Sequence, residues 1–419
     1  MYSLLSDGFC TKLKRLIGNL LSDKVPLVGP EDLDNVQPGY LGTTPPPGIM
    51  PHKGQRIWVD HPEQLLAAVE VLKAARVVAI DAEFTQVRSH TQNKVASTVP
   101  RLALLQLAVD NYCFVVDTLR LGDLTPLLEV VGDPAIAVLL HGAGADLRVM
   151  AERGLSVAHY YDLEATCRSI FGQHESSLAA MLLRAFNIHL DKSLQRTDWT
   201  RRPLPPAMIA YAARDAEVTL ALYYWLKQYY PDILHLHENT EQADKVAAWI
   251  EPFLRGTSLL SPEMAVLEAK EQGLIHNKAQ IAADCRSALA SLVHPMRRNR
   301  LLRLIADLSL KQLTPDIIDS LHAVTSEERA GSARTLGRLA AQSARAEISQ
   351  LLQDPVYDVR KAAHTALRNL DNKDGRVHRA APTRSPDGTR KWVIETEKQA
   401  SEAEDDKGWK ARLRAMMDS

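Results

Sequence analysis

The stretch Val77-Val78-Ala79-Ile80-Asp81-Ala82-Glu83-Phe84 constrains this chain more than any other. A run of Val, Ala and Ile reads as a buried strand. It leads into an acid, a small residue and a second acid. Side chains at i and i+2 of a strand share a face, so Asp81 and Glu83 should project together from its end. Two carboxylates that close repel each other unless a cation lies between them or one takes up a proton. Either the strand end is solvated and the two acids are unrelated, or the rest of the chain supplies partners for them.

The bulk properties narrow the setting. A chain of 419 residues has room for two or three domains, and its 46% hydrophobic content is enough to build their cores. A net charge of -1 excludes a globally basic nucleic-acid binder but not local basic patches. The four cysteines, Cys10, Cys113, Cys167 and Cys285, form no C-x-x-C pair. That argues against a zinc site or a disulfide framework and fits a reducing, cytoplasmic setting. No apolar run reaches the length of a membrane span. At the N-terminus, Leu5, Phe9, Leu13, Ile17 and Leu20 recur at helical spacing, as a docking helix or extension would. Asp7 and Asp23 weigh against a transit peptide, and targeting stays open. Residues 26–54, with Pro45-Pro46-Pro47, read as a linker.

Order resumes with a short strand at Ile57–Asp60 and a helix carrying Leu65, Leu66, Val69 and Leu72. The Val77–Phe84 strand, Leu102–Val109 and Tyr112–Asp117 then form a three-strand antiparallel meander, with a polar loop over 85–99. A helix near Leu124–Val131 precedes a strand at Ile136–Leu140, and a long helix spans Pro206–Tyr229. Mixed strands and helices of this kind indicate an α/β domain.

Two further elements place acids where a cation site would need them. The Ile136–Leu140 strand ends in His141-Gly142-Ala143-Gly144-Ala145-Asp146, which puts Asp146 in the first turns of a helix beside a strand end. An acid is also favoured there by the helix dipole alone. Tyr211 and Asp215 stand at i and i+4 on an otherwise apolar helix face, and an acid on an inward face needs a partner.

Together, Asp81-Ala82-Glu83-Phe84, Asp146 and Tyr211-x-x-x-Asp215 resemble the three motifs of the DEDDy 3′–5′ exonucleases, ribonuclease D in particular. The likeness runs from about Trp58 to Tyr229. It includes Pro100–Leu107 and the stretch from Leu190 through Asp198-Trp199 to Arg202-Pro203-Leu204. The resemblance implies a ribonuclease H-like fold, a mixed five-stranded sheet with flanking helices. It implies two divalent cations, Mg²⁺ or Mn²⁺, held by Asp81, Glu83, Asp146 and Asp215, with Tyr211 orienting the attacking water. The implied reaction releases nucleoside 5′-monophosphates from single-stranded 3′ ends of RNA, as in trimming tRNA or other structured RNA.

Phe84, Lys192, Gln195, Trp199 and Arg202 are candidate nucleic-acid contacts, by stacking or by binding phosphate. Gln106 reads as structural, and His141 as a strand-end hydrogen-bonder. Two alternatives stay open: a DNA 3′–5′ exonuclease, and a catalytically inactive nucleic-acid-binding scaffold.

Beyond Tyr229 the ribonuclease D likeness ends. Residues 328–339 and 359–370 resemble HEAT-type repeats, with Arg329 and Arg360, Leu336 and Leu367, and Leu339 and Leu370 each 31 positions apart. An all-α repeat domain would offer a surface for protein or RNA, and Arg297, Arg298, Arg300 and Arg303 form a basic cluster on it. The expected divisions are an N-terminal helix and linker (1–55), the exonuclease domain (56–230), the helical domain (231–371), and a linker with a charged tail (372–419).

Overall fold

The computed structural model describes residues 54–86, 100–189, 194, 197–240 and 246–371, with short segments at 383–384 and 390–391. The readings made for the N-terminal helix, the proline-rich linker, the 87–99 loop and the charged tail lie outside these residues. The chain divides into two compact units, Met1–Asp371 and Asn372–Ser419.

Seven strands form one mixed sheet: β1 (Gln55–Val59), β2 (Val77–Gln86), β3 (Pro100–Val109), β4 (Tyr112–Asp117), β5 (Ala137–Leu140), β6 (His159–Asp162) and β7 (Glu238–Thr240), in the order β1-β4-β3-β2-β5-β6-β7. The meander β2-β3-β4 is antiparallel, and β5 runs parallel to β2. The arrangement is ribonuclease H-like, but the expected five strands are seven. β1 adds parallel to β4 at one edge, and β7 adds antiparallel to β6 at the other. The extra strand β7 is short and polar (Glu-Asn-Thr) and has no apolar alternation to betray it. It also lies past residue 230, inside the stretch assigned to the helical domain.

Helices cover both faces of the sheet. One face packs against α1 (Pro62–Leu72), α2 (Leu128–Val131) and α3 (Gly144–Ala151), burying Leu65, Val78, Ile80 and Met150. The other packs against α4 (Leu163–Phe171), α5 (Leu178–Phe186) and α6 (Pro206–Tyr229), burying Ala79, Leu139, Leu182 and Ala216. α6 opens with Pro206, whose missing N–H costs nothing in a first turn. Alternation along β2 sends Ala79 to the α6 face and Val78, Ile80 and Ala82 to the α1 face. Asp81 and Glu83 therefore point toward α6.

The remaining helices are α7 (Pro231–Leu236), α8 (Glu251–Arg255), α9 (Pro262–Glu271), α10 (Lys278–Ser291), α11 (Pro295–Asp307), α12 (Thr314–Asp319), α13 (Ser326–Arg338), α14 (Arg345–Gln350) and α15 (Tyr357–Asp371). The long helices α11, α13 and α15 begin 31 residues apart, and so do the short helices α12 and α14. Ser309 and Ala340, also 31 apart, both take a left-handed φ of 54° just after a long helix ends. One arginine per long helix closes the chain before it. Arg298 donates to the carbonyls of Leu289 and Leu292, Arg329 to those of Ala323 and Val324, and Arg360 to those of Asp354 and Pro355. These are the orphan carbonyls expected where helical segments end.

The helical region docks onto the far end of α4. Ser326 donates to the Arg168 carbonyl at 2.9 Å, and the Gln173 backbone N–H donates to Asp358 at 2.7 Å. Gly172 permits this approach. Its φ is +92°, and a Cβ there would lie 2.8 Å from Val356 and 3.0 Å from the Asp358 carboxylate.

Candidate active site

Three carboxylates converge where β2 meets α6. Asp81, Glu83 and Asp215 each bring one oxygen within 4.8 Å of the others. Asp146 enters from the first turn of α3. It stands outside that 4.8 Å group but is close enough to raise the pKa of Asp81 and Glu83 by repulsion.

The turn that carries Asp146 is held by Asp162 at the end of β6. The Asp162 carboxylate accepts from the Gly142 and Ala143 N–H groups and also caps α4 through Glu164 and Ala165. Gly142 has φ +82°, and a Cβ there would come 2.9 Å from the Glu164 carboxylate, so the glycine is required. His141 lies 3.0 Å from the Ser176 carbonyl, a hydrogen bond at the strand end.

Electrostatically the cluster is unfavourable as it stands. Burial, then Asp215 and Asp146, hold Asp81 well above the usual carboxylate range. Burial, then Asp81, Asp215 and Asp146, push Glu83 up to about 9. Burial and then Asp162 raise Asp146 to about 7. Asp215 rises to about 6 by burial, opposed by Arg214 and by a hydrogen bond from Tyr211. One Asp215 oxygen is buried with no hydrogen-bond partner. Crowded, repelling carboxylates with an orphaned oxygen suit a hard cation with oxygen ligands.

The expected substrate contacts fare differently. Lys192 and Gln195 lie outside the described residues. Phe84 is half-buried and packs against the core of the α1 face, opposite the face that carries Asp81 and Glu83. Trp199 is only 2% exposed, and its ring packs 6.1 Å from that of Tyr211. It backs the tyrosine from within the core and offers no open face for stacking, which corrects that expectation.

Arg202 is corrected most fully, because all five of its N–H donors are taken up. It forks onto Asp117 at 2.6 and 2.7 Å, and it donates to the carbonyls of Trp199, Arg201 and Ala103. None is left for a phosphate.

Ala103 explains why this clamp matters. The β2–β3 register pairs Glu83 with Leu104 and Phe84 with Leu102, so Ala103 is the extra residue of a bulge beside the acids. Arg202 satisfies the carbonyl that this bulge releases.

Reading the sequence passed over two supporting residues, Asp117 and Asp162, and took Gln106 as structural. Asp117 is fully buried, and Asp162 fixes the Asp146 turn. Gln106 pairs directly with Asp81 across the ladder, and both polar atoms of its buried amide lack partners. The visible signal was a polar residue inside an apolar strand, at Gln106, or at a strand end, at Asp117 and Asp162.

Residues 56–229 match the family model described as 3′–5′ exonuclease. Ribonuclease D of Gluconacetobacter diazotrophicus is 37% identical over 158 residues, covering 36% of this chain and 37% of that protein. The exosome complex exonuclease RRP6 of Saccharomyces cerevisiae is 32% identical over 169 residues, covering 40% of this chain and 22% of that protein. The chain spans at most 39% of the length of such curated relatives. Among solved structures, Escherichia coli RNase D is similar at 18% identity and a TM-score of 0.40, covering 86% of this chain and 84% of that one. Residues 56–229 are thus a 3′–5′ exonuclease domain, homologous to ribonuclease D and the Rrp6 proteins.

Proposed function

We propose that this protein is a metal-dependent 3′–5′ exoribonuclease acting on single-stranded 3′ ends, including those of tRNA or other structured RNA. The convergence of Asp81, Glu83 and Asp215 within 4.8 Å, in a domain of this family, carries the reading. The names of the relatives, ribonuclease D and exosome exonuclease, support RNA over DNA. Asp81, Glu83, Asp146 and Asp215 would hold two divalent cations, Mg²⁺ or Mn²⁺. Bound there, the cations supply Lewis-acid stabilisation of the phosphodiester.

The chain's own groups do the rest. Asp81, which feels the charge of both Asp215 and Asp146, would be one of the carboxylates that hold the cations. The Tyr211 phenol donates to Asp215 and orients the incoming water. Water attacks phosphorus, the bond to the 3′ oxygen breaks, and that oxygen takes a proton. The products are a nucleoside 5′-monophosphate and a shortened strand with a free 3′ hydroxyl.

The 31-residue unit supports a HEAT-type domain that gives the enzyme a binding surface for RNA or protein. The pairing of β7 with β6 supports a nuclease domain extending to Thr240. No helix among the described residues is long and apolar enough to cross a membrane. Cys113, Cys167 and Cys285 are free and buried, which supports the cytoplasm.

Incubation of the purified chain with matched 3′-extended RNA and DNA, under Mg²⁺ or Mn²⁺, tests the reading. Stepwise release of 5′-monophosphates from RNA is expected. Release from neither polymer under either cation sinks the enzyme, and preferential digestion of DNA sinks the substrate.

A further inference from the structure

We propose that Arg303 and Arg334 form a two-rung ladder on adjacent helical repeats that holds the RNA phosphate backbone upstream of the 3′ end. The inference rests on the exonuclease reading and supplies the surface that reading leaves open.

The repeat unit decides which arginines are free. Arg298 drops out of the basic cluster seen in the sequence, because it pairs with Glu328 and closes the carbonyls of Leu289 and Leu292. Arg300 is tied to the Leu254 carbonyl at 2.6 Å. Arg303 and Arg334 differ. They stand 31 residues apart, at the same place on α11 and α13, and both are exposed. Among the described residues, neither guanidinium takes part in a hydrogen bond or an ion pair.

Equivalent positions on these two helices touch. Asp307 and Arg338 are also 31 apart and form an ion pair at 2.6 Å. One helical turn earlier the same geometry sets two like charges side by side. Arg334 is exposed by area yet closely surrounded by the cleft, and that burial together with Arg303 lowers its hold on its proton, with Asp358 and Glu327 opposing. Neighbouring cations of this kind are relieved by a bound polyanion.

The surroundings favour a strand of nucleic acid. Arg334 lines a cleft of about 400 Å³ between α4 and the helices α11, α13 and α15. The acids in that cleft already have partners: Glu327 accepts from Ser169 and Arg168, and Asp358 accepts from the Gln173 backbone. The N-terminus of α4 is capped by Asp162, the residue that raises Asp146, while the cleft lies along the rest of the helix. At 1.5 Å per residue, α4 spans about 13 Å. A strand leaving the carboxylates along α4 therefore runs toward the two arginines.

Binding is read in the 419-residue chain carrying Asp81→Asn, so that turnover does not consume the probe. With a single-stranded RNA of about 16 nucleotides, Arg303→Gln with Arg334→Gln should weaken affinity about tenfold. The slope of log affinity against log salt should shrink by about 1.4, from about 0.7 per phosphate contact. Arg303→Lys with Arg334→Lys should retain most of both. Arg338→Gln removes a charge already paired with Asp307 and should change neither. In the otherwise unaltered chain, Arg303→Gln with Arg334→Gln should leave hydrolysis of an oligomer of about 4 nucleotides unchanged.

Unchanged affinity and slope in the double glutamine variant overturn the ladder. An equal loss from Arg338→Gln also overturns it, because the effect would then be net charge alone. Failure of the unaltered chain to cleave any oligomer counts against the nuclease reading and leaves the binding result standing.

Discussion

Replacing Arg202 with lysine separates geometry from charge at the clamp behind the acids. The guanidinium satisfies both oxygens of the buried Asp117 and three carbonyls. A lysine keeps the cation but has no fork with which to reproduce that pattern. Two carbonyls, those of Trp199 and Ala103, would lose their donor inside the fold. Each unmade buried bond costs about 1–3 kcal/mol, so Arg202→Lys should destabilise by about 2–6 kcal/mol. Arg202→Ala strands Asp117 without a cation and should cost about 3–5 kcal/mol. The Ala103 carbonyl belongs to the bulge opposite Glu83 and Phe84. Freeing it lets the end of β2 straighten and moves Glu83. We expect kcat of Arg202→Lys on 3′-extended RNA to fall about 10- to 100-fold, or about 1.4–2.7 kcal/mol, with KM nearly unchanged. Urea unfolding and steady-state nucleotide release at saturating Mg²⁺ measure the two effects. A stability loss with full kcat would show that the clamp only holds its loop. A raised KM with unchanged kcat would restore Arg202 as a substrate contact and refute the reasoning.

Four other outcomes follow from the acid cluster and from the joint behind it. Asp81→Asn should abolish nucleotide release without lowering the melting temperature of the cation-free protein, since it removes a charge that its neighbours repel; a collapsed fold would make Asp81 structural. The folded carboxyls titrate above their ordinary values, near 6 for Asp215, 7 for Asp146 and 9 for Glu83. Their stabilising contribution is thus complete below about pH 4 and lost as pH rises toward 9, so the cation-free protein should melt lower at pH 8 than at pH 5. Mn²⁺ binding should release protons at pH 6, as seen by calorimetry in buffers of different ionisation enthalpy, and a buffer-independent heat would contradict the shifts. Gly172→Ala should cost about 1–3 kcal/mol by forcing Val356 and Asp358 away, and should expose the joint between α4 and the repeats to proteolysis; an unchanged digestion pattern would mean the joint is loose.

The parts of the site carried by regular elements were legible in the sequence. The apolar run before Asp81 and the i, i+4 pair Tyr211 and Asp215 set positions through strand and helix periods alone. The strands β6 and β7 on one side of the sheet were harder, because their half-buried polar residues lack alternation. The 31-residue period was visible in Arg329 and Arg360, but the earlier unit beginning at Pro295 shares few residue types with them and emerged only as geometry. Trp199 and Arg202 were misread for one reason. Aromatic and basic residues in a loop before a catalytic helix have the composition of a substrate surface, and composition carries no information on whether a guanidinium is already saturated.

That misreading points to how the acids are held. A cluster of repelling, partly buried carboxylates favours spreading apart, so each element that carries one needs its own restraint. β2 is held through its pairing with the bulge of β3, whose Ala103 carbonyl Arg202 binds. α6 is backed at Tyr211 by the Trp199 ring. The turn into α3 is held by Asp162 through Gly142 and Ala143. Two of these braces meet in one loop, because Arg202 also binds the carbonyl of Trp199. The loop preceding α6 therefore acts on the reaction from behind the site. It fixes the distance between the β2 acids and Asp215, and a cation pair is sensitive to that distance in a way that a single solvated carboxylate is not.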